Sequence, residues 1–368
     1  MKKKVLLVAA AVSVLLCACG NTLRVTDRKV MHETEFGGVY VDLTIDEFNA
    51  LGFAFGDSVD VTFSNGYTLE DIPYYNGYYN RNGEALIVGY PGYPHIEICV
   101  NNGDPLWETA GLDEGDTVTI RRAKKGAFLD TQTARDIHYQ DDRSAYASDV
   151  IFANFRAVEA GNIAPGRLCR SASPCDNQHN RAGYVDALMK EAGVAFILDL
   201  ADNEEKIARY IGAGDFDSPY FLSLYEGGDD VPLAMNTNYG SEEFRENLAT
   251  GLRAMASHEG PYLVHCTEGK DRTGFVCALL EALCGADYEE MRKDYMITYD
   301  NYYGISEGTD REKYDLIVRE SFDPLVQEFI GDNNIDPSTA DLASYAQGYL
   351  RSAGLTDEEI AALRRCLE

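Results

Sequence analysis

The chain has 368 residues and a formal net charge of −29, from 32 Lys and Arg against 61 Asp and Glu. That length is enough for two domains and well able to bury a core. The charge disfavours nucleic acid and broad anionic membrane surfaces as large partners, and its usual meaning is solvation.

In chain order, Met1-Lys2-Lys3-Lys4 opens a basic start and Val5 to Leu16 is apolar. Such a short run reads as an export signal rather than a membrane span. Leu16-Cys17-Ala18-Cys19 resembles a bacterial lipobox. The resemblance implies a signal over residues 1–19, cleavage before Cys19, and a lipid on Cys19 that tethers the protein to a membrane outside the cytoplasm. Ordinary cleavage and release is the other reading. Residues 20–35 read as a tether. Beyond Cys19 the cysteines are Cys99, Cys169, Cys175, Cys266, Cys277, Cys284 and Cys366. Their odd number leaves a free thiol, and no spacing among them suggests a zinc site.

Residues 36–122 read as a small all-β barrel. Val59 to Phe63 alternates, and Asn65-Gly66, Asn82-Gly83 and Asn102-Gly103 are turn signals beside strand-like runs. Leu51 to Val59 is echoed by Ala110 to Val118, as a duplication or as two similar turns into strands. From Gly56 to Arg121, Gly56-Asp57-Ser58-Val59, Asn101-Asn102-Gly103 and Gly115-Asp116-Thr117-Val118 resemble the C-terminal domain of S-adenosylmethionine hydroxide adenosyltransferases. That family's larger catalytic domain has no counterpart here, so adenosyl transfer is not implied. Tyr74, Tyr75, Tyr78, Tyr79, Tyr90 and Tyr93 form either a ligand platform or barrel filler. Residues 123–149 read as a linker.

Residues 150–368 alternate strand and helix patterns, which predicts an α/β domain with a mainly parallel sheet flanked by helices. Val185 to Ala192 reads as helix, Val194 to Leu200 as a buried strand, Tyr220 to Leu224 as a strand, and Ser241 to Ser257 as helix. Pro261 to Val264 is a further strand, and Phe275 to Cys284 is an apolar helix. Thr356 with Glu359 forms a capping box for a last helix.

Between strand and helix lies His265-Cys266-Thr267-Glu268-Gly269-Lys270-Asp271-Arg272-Thr273-Gly274. A short loop curling into a helix N-terminus aims backbone N–H groups at one centre and holds a phosphate. Cys266 would sit beneath that phosphate as a nucleophilic thiolate. Arg272 offers a planar fork to two phosphoryl oxygens. His265 and the Thr273 hydroxyl supply further hydrogen bonds, and Asp271 is the candidate general acid. Thr267, Glu268, Gly269, Lys270 and Gly274 complete the substrate-binding loop. Glu268 is an acid inside a phosphate loop, and it is expected to point outward. Asp229 and Asp230 are alternative acids. The set requires no metal and no cofactor.

This segment resembles the signature loop of cysteine-dependent protein tyrosine phosphatases. It most resembles the bacterial branch with tyrosine, dual-specificity and phosphoinositide activity. Asn154-Phe155-Arg156-Ala157, Arg170-Ser171 and the closing stretch Tyr349-Leu350 through Gly354-Leu355-Thr356 extend the resemblance over about 150–368. It implies that Asp271 is the acid, that Lys270 favours lipid phosphates, and that the substrate is a phosphorylated protein or phospholipid. The branch usually carries Asp where Ala157 stands and Arg where Ala201 stands, which suggests an ion pair lost together. The competing reading is a phosphate-binding or scaffold lipoprotein that turns over weakly, with the β domain binding its partner.

Overall fold

The computed structural model describes residues 23–368, so the export segment and Cys19 lie outside the described residues. The chain divides into two compact units, Met1–Gln132 and Thr133–Glu368.

The first unit is a closed barrel of β1 (Arg24–His32), β2 (Val39–Val41), β3 (Ser58–Phe63), β4 (Thr68–Tyr75), β5 (Ala85–Val88), β6 (Glu97–Val100) and β7 (Thr117–Lys124). The order around it is β1-β2-β6-β5-β4-β3-β7, closing from β7 to β1. All neighbours run antiparallel except β4 and β5. Val39, Val41, Val61, Phe63, Ile87, Ile98 and Ile120 fill its core. The helices α1 (Ile45–Ala50) and α2 (Leu106–Thr109) each run through a turn into β3 and β7. The Leu51–Val59 and Ala110–Val118 echo is therefore a repeated helix–turn–strand. In both copies the Asp of Gly-Asp accepts from a backbone N–H three residues earlier, Asp57 from Ala54 at 3.1 Å and Asp116 from Asp113 at 2.9 Å.

Most of the expected tether is in fact β1. Its charged residues Arg24, Asp27, Arg28 and Lys29 hide the alternation. Only Val25 and Val30 need burial, and a register shift separates them. Asn65-Gly66 closes the β3–β4 hairpin. Asn82-Gly83 instead precedes a strand parallel to β4, and Asn102-Gly103 leads toward α2. The tyrosines divide. Tyr74 and Tyr75 are buried, whereas Tyr78 and Tyr90 are exposed and lie in file with Tyr93, with ring centroids 6.1 and 5.2 Å apart.

The expected linker holds the end of β7 and α3 (Leu129–Arg135), within which the boundary between the units falls. Its residues from 133 onward belong to the second unit.

That unit contains α4 (Asp149–Phe152), β8 (Arg156–Ala157), β9 (Leu168–Ser171), α5 (Ala182–Glu191), β10 (Phe196–Asp199), α6 (Glu204–Ile211), α7 (Pro219–Gly227) and β11 (Asp230–Pro232). Then come α8 (Glu242–Ser257), β12 (Tyr262–His265), α9 (Asp271–Leu283), α10 (Tyr288–Tyr303), α11 (Arg311–Ile317), α12 (Asp323–Ile330), α13 (Leu342–Ser352) and α14 (Asp357–Leu367). The sheet order is β11-β10-β12-β9-β8, parallel except at the β8–β9 edge. Alternate residues serve two cores. Phe196, Leu198, Tyr262 and Val264 face α8, α9 and the C-terminal helices, while Ile197 and Leu263 face α5, α6 and α7.

Tyr220 to Leu224 lies within α7 and is not a strand. Pro219 at the first turn and Gly228 in a left-handed cap fix the helix ends, and Phe221 alone is buried. The lost-ion-pair idea also fails. Ala157 pairs with Cys169, Cys169 with Leu263, and Leu263 with Ile197, so position 157 lies three strands away from β10. At about 4.8 Å per strand the gap is roughly 14 Å, too far for an Asp–Arg pair.

Candidate active site

The parallel register sets His265, the last residue of β12, beside Asp199 on β10 and Ser171 on β9. The chain then turns through Cys266 to Lys270 and enters α9 at Asp271. The loop thus sits at the carboxyl edge of the sheet, where ligands of open α/β sheets bind. Cys266 is buried at its base.

The carbonyls of Thr267, Glu268 and Gly269 are turned to partners outside the loop. Ser173 N–H donates to the Thr267 oxygen at 3.1 Å, and the Tyr302 hydroxyl to the Glu268 oxygen at 2.7 Å. The Gly269 oxygen accepts from Arg170 Nη2 at 3.0 Å and from Asn154 Nδ2 at 3.3 Å. Among the described residues, none of the N–H groups of 267–270 donates to a protein acceptor. With the carbonyls pulled outward, these donors are left for a ligand. Gly269 is required here. Its φ is +67°, and a Cβ would stand 2.2 Å from the Ser171 carbonyl oxygen.

Two buried arginines hold this arrangement. Asp294 on α10 accepts from Arg156 Nε at 2.8 Å and from Arg170 Nη1 at 2.5 Å. Burial raises the Asp294 carboxyl, but the two guanidiniums outweigh it and hold it well below the usual carboxylate range. Asn154, in the left-handed region at φ 50°, accepts from Arg156 Nη1 and aims its amide at the loop.

Arg272 extends from the first turn of α9. It donates to the Met235 carbonyl at 3.0 Å and to Thr267 Oγ1 at 3.2 Å, which fixes the fork beside the loop. Burial lowers its pKa, but the Cys266 and Asp271 charges raise it further, so it stays a cation. Lys270 Nζ lies 2.8 Å from both Asp271 oxygens. Burial pushes the Asp271 carboxyl up, yet Lys270, Arg135 and Arg272 together hold it below its ordinary value. Thr273 is buried, and its hydroxyl has no partner among the described residues.

The model of the tyrosine phosphatase family matches residues 152–368, more than half of the chain. The chain belongs to the tyrosine phosphatase family. A tyrosine-protein phosphatase of Nostoc commune is 32% identical over 119 residues, covering 30% of this chain and 40% of that protein. The triple specificity protein phosphatase PtpB of Mycobacterium tuberculosis is 27% identical over 157 residues, covering 36% of this chain and 55% of that protein. The chain thus spans about half the length of these curated relatives. The core catalytic domain of the PP-IP phosphatase SIW14 from S. cerevisiae aligns over 49% of this chain and 93% of its own, at 17% identity and a TM-score of 0.27.

Within this tyrosine-phosphatase-family domain the structure brings Cys266 through Gly274 together on one loop and helix turn, and it separates two other candidates. Asp229 precedes β11 at the amino end of the sheet, and Asp230 pairs with Ile197, two residues short of the loop's level. Neither is placed as an acid over the phosphate. His265 is fully buried, and burial brings its imidazole down to about 4, so the ring is neutral. Glu268 points outward, where Oε1 accepts from the Tyr139 hydroxyl at 2.7 Å.

Several site residues escape sequence reasoning. Tyr139 and Arg135 come from the stretch read as linker. Arg135 is close enough for its charge to act on Asp271. Arg181 stacks on Tyr139 and Tyr302, 4.7 and 4.9 Å from the ring centroids, and builds a wall beside Glu268. Polar residues without periodicity give no local signal of this. The Asn154-Phe155-Arg156 and Arg170-Ser171 motifs were visible, but their task of clamping loop carbonyls was not.

Proposed function

We propose that the chain is a phosphatase that hydrolyses phosphate monoesters through a phosphocysteine intermediate. The outward capture of the Thr267, Glu268 and Gly269 carbonyls carries this reading, because it leaves a cradle of N–H donors above Cys266. A substrate phosphate enters that cradle and is gripped by Arg272. The Cys266 thiolate attacks phosphorus. The S–P bond forms as the P–O ester bond breaks, and Asp271 gives its proton to the leaving oxygen. Water then attacks phosphorus, Asp271 takes its proton, the S–P bond breaks and orthophosphate leaves.

The Lys270–Asp271 pair accounts for how one carboxyl does both tasks. In the free protein, Lys270, Arg135 and Arg272 hold Asp271 ionised. A phosphate dianion offsets that positive field and draws Lys270 to itself, so Asp271 gains a proton as substrate binds. Lys270 then contacts the phosphoryl group or a second anionic group of the substrate.

The substrates in this reading are phosphotyrosine proteins and phosphoinositides, reached by an exported chain tethered through a lipid on Cys19. The relatives' printed names support the phosphotyrosine part, and the family resemblance at Lys270 and the lipobox resemblance support the phosphoinositide and tethering parts. No helix of the described residues is long and apolar enough to cross a membrane. Turnover of p-nitrophenyl phosphate in EDTA by the wild-type chain, and none by Cys266→Ser, is the expected result. Equal turnover by both contradicts the mechanism.

A further inference from the structure

Behind the phosphate loop, three neighbouring strands bring together three buried ligating side chains. Asp199 ends β10, Asp230 begins β11 and His265 ends β12. One carboxylate oxygen or ring nitrogen from each lies within 4.8 Å of the others. None of the three residues is more than 7% exposed.

Their hydrogen bonding is incomplete. Asp199 Oδ1 accepts from the N–H groups of Ala201 and Asp202 at 2.8 and 3.1 Å, but Oδ2 has no hydrogen-bond partner among the described residues. Among the described residues, both Asp230 oxygens and both His265 ring nitrogens also lack a hydrogen-bond partner, and His265 Nε2 lies 3.9 Å from Asp199 Oδ1, beyond hydrogen-bond reach. Nearby cations are committed elsewhere. Lys206 donates to the Ala201 carbonyl and lies 3.7 Å from Asp202, and Arg272 serves Met235 and Thr267. Burial pushes the Asp230 carboxyl well up and that of Asp199 to about 6, so without a cation the pair relieves its charge by holding protons, which a bound cation would displace.

We propose that Asp199, Asp230 and His265 bind one divalent transition cation of the zinc class. The donor set is two carboxylate oxygens and one neutral imidazole nitrogen, which suits zinc, and a dication balances the two carboxylates. Ligand atoms about 2.0–2.2 Å from a shared ion are roughly 3.3–3.6 Å apart, so separations within 4.8 Å need close by no more than about 1.5 Å on binding. A cavity of ≈ 150 Å³ lies on the flank, lined by Cys175, Asp176, Tyr210 and Asp215. Cys175 and Asp202 stand between it and Asp199, with their ligating atoms within 4.8 Å of one another and of Asp199. The ion ties β10, β11 and β12 together beneath Cys266. It does not touch the phosphate, so the proposal is independent of turnover.

The test uses the full chain carrying Cys266→Ser, so that the nucleophile is not itself a zinc ligand. After EDTA treatment and its removal, zinc chloride is titrated by calorimetry and Tm is followed. The expected result is one zinc per chain, a raised Tm, loss of that binding in Asp230→Asn and its retention in Cys175→Ser. Asp230→Asn should fold at least as stably as its parent without metal, because it removes a buried carboxylate. Cobalt in place of zinc reads the ligands without a further substitution, and oxygen and nitrogen ligation without a thiolate charge-transfer band is expected. No zinc binding, equal binding by Asp230→Asn, or a thiolate–cobalt band each overturns the proposal.

Discussion

Arg170, buried on β9, donates to the carbonyl oxygen of Gly269 at 3.0 Å, and in doing so it turns the middle of the phosphate loop. The same guanidinium is anchored by Asp294. Loop shape is thus set by charges that never touch substrate. Arg170→Met should cost about 3–5 kcal/mol, the usual result of breaking a buried ion pair. It should also lower kcat more than it raises KM, since the donors lose their aim. Denaturant melts and steady-state kinetics on p-nitrophenyl phosphate check both.

The Asp294 carboxyl has a pH signature. Arg156 and Arg170 hold its folded pKa below the unfolded value of about 3.9. Its contribution is therefore fully present above about pH 4 and is lost as pH falls through the folded value. Wild type should exceed Asp294→Asn in stability at pH 7, and the difference should shrink steadily below about pH 4. Urea melts of both proteins from pH 7 down to pH 3 read it.

Gly269→Ala should inactivate without unfolding. The left-handed backbone costs about 1–2 kcal/mol for a residue with a Cβ, which the domain can tolerate. The clash with the Ser171 carbonyl must still be relieved by moving the loop. A displacement near 1 Å at a catalytic loop lowers rate by about 100-fold. Circular dichroism and kcat measured together separate the two effects.

Tyr139 holds Glu268 away from the phosphate. In Tyr139→Phe the carboxylate is free to swing toward the anion site, so KM should rise several-fold with kcat little changed. Adding Glu268→Gln should restore KM. If the double variant is no better than Tyr139→Phe alone, Tyr139 acts on packing and not on charge.

Asp271→Asn should reduce kcat by about 100- to 10,000-fold on alkyl phosphates, the range for losing a general acid. The loss should be smaller on p-nitrophenyl phosphate, whose leaving group needs little protonation. Comparing kcat for the two ester types decides the role of Asp271.

Much of this was legible in the sequence because the information is local. Strand, Cys-containing loop and helix follow one another within residues 261–284, so hydrophobic pattern and turn chemistry agree. The barrel was legible from alternation in β3 and from Asn65-Gly66. What was hidden depends on residues distant in sequence. β1 buries only Val25 and Val30, so charge masks it. Tyr220 to Leu224 has strand composition, but Pro219 and Gly228 set helix ends around it. Tyr139 meets Glu268 across 129 residues, and Asp199, Asp230 and His265 meet only because their strands are neighbours in the sheet. No spacing in the chain announces either.

The most direct test of the central claim is to trap the covalent intermediate. The wild-type chain is mixed with p-nitrophenyl phosphate, quenched in acid within the first turnovers, digested and examined by mass spectrometry. A phosphoryl group on Cys266, absent from Cys266→Ser, is the predicted result. Steady turnover with Cys266 unmodified at every quench time, or a phosphoryl group on another residue, would contradict it.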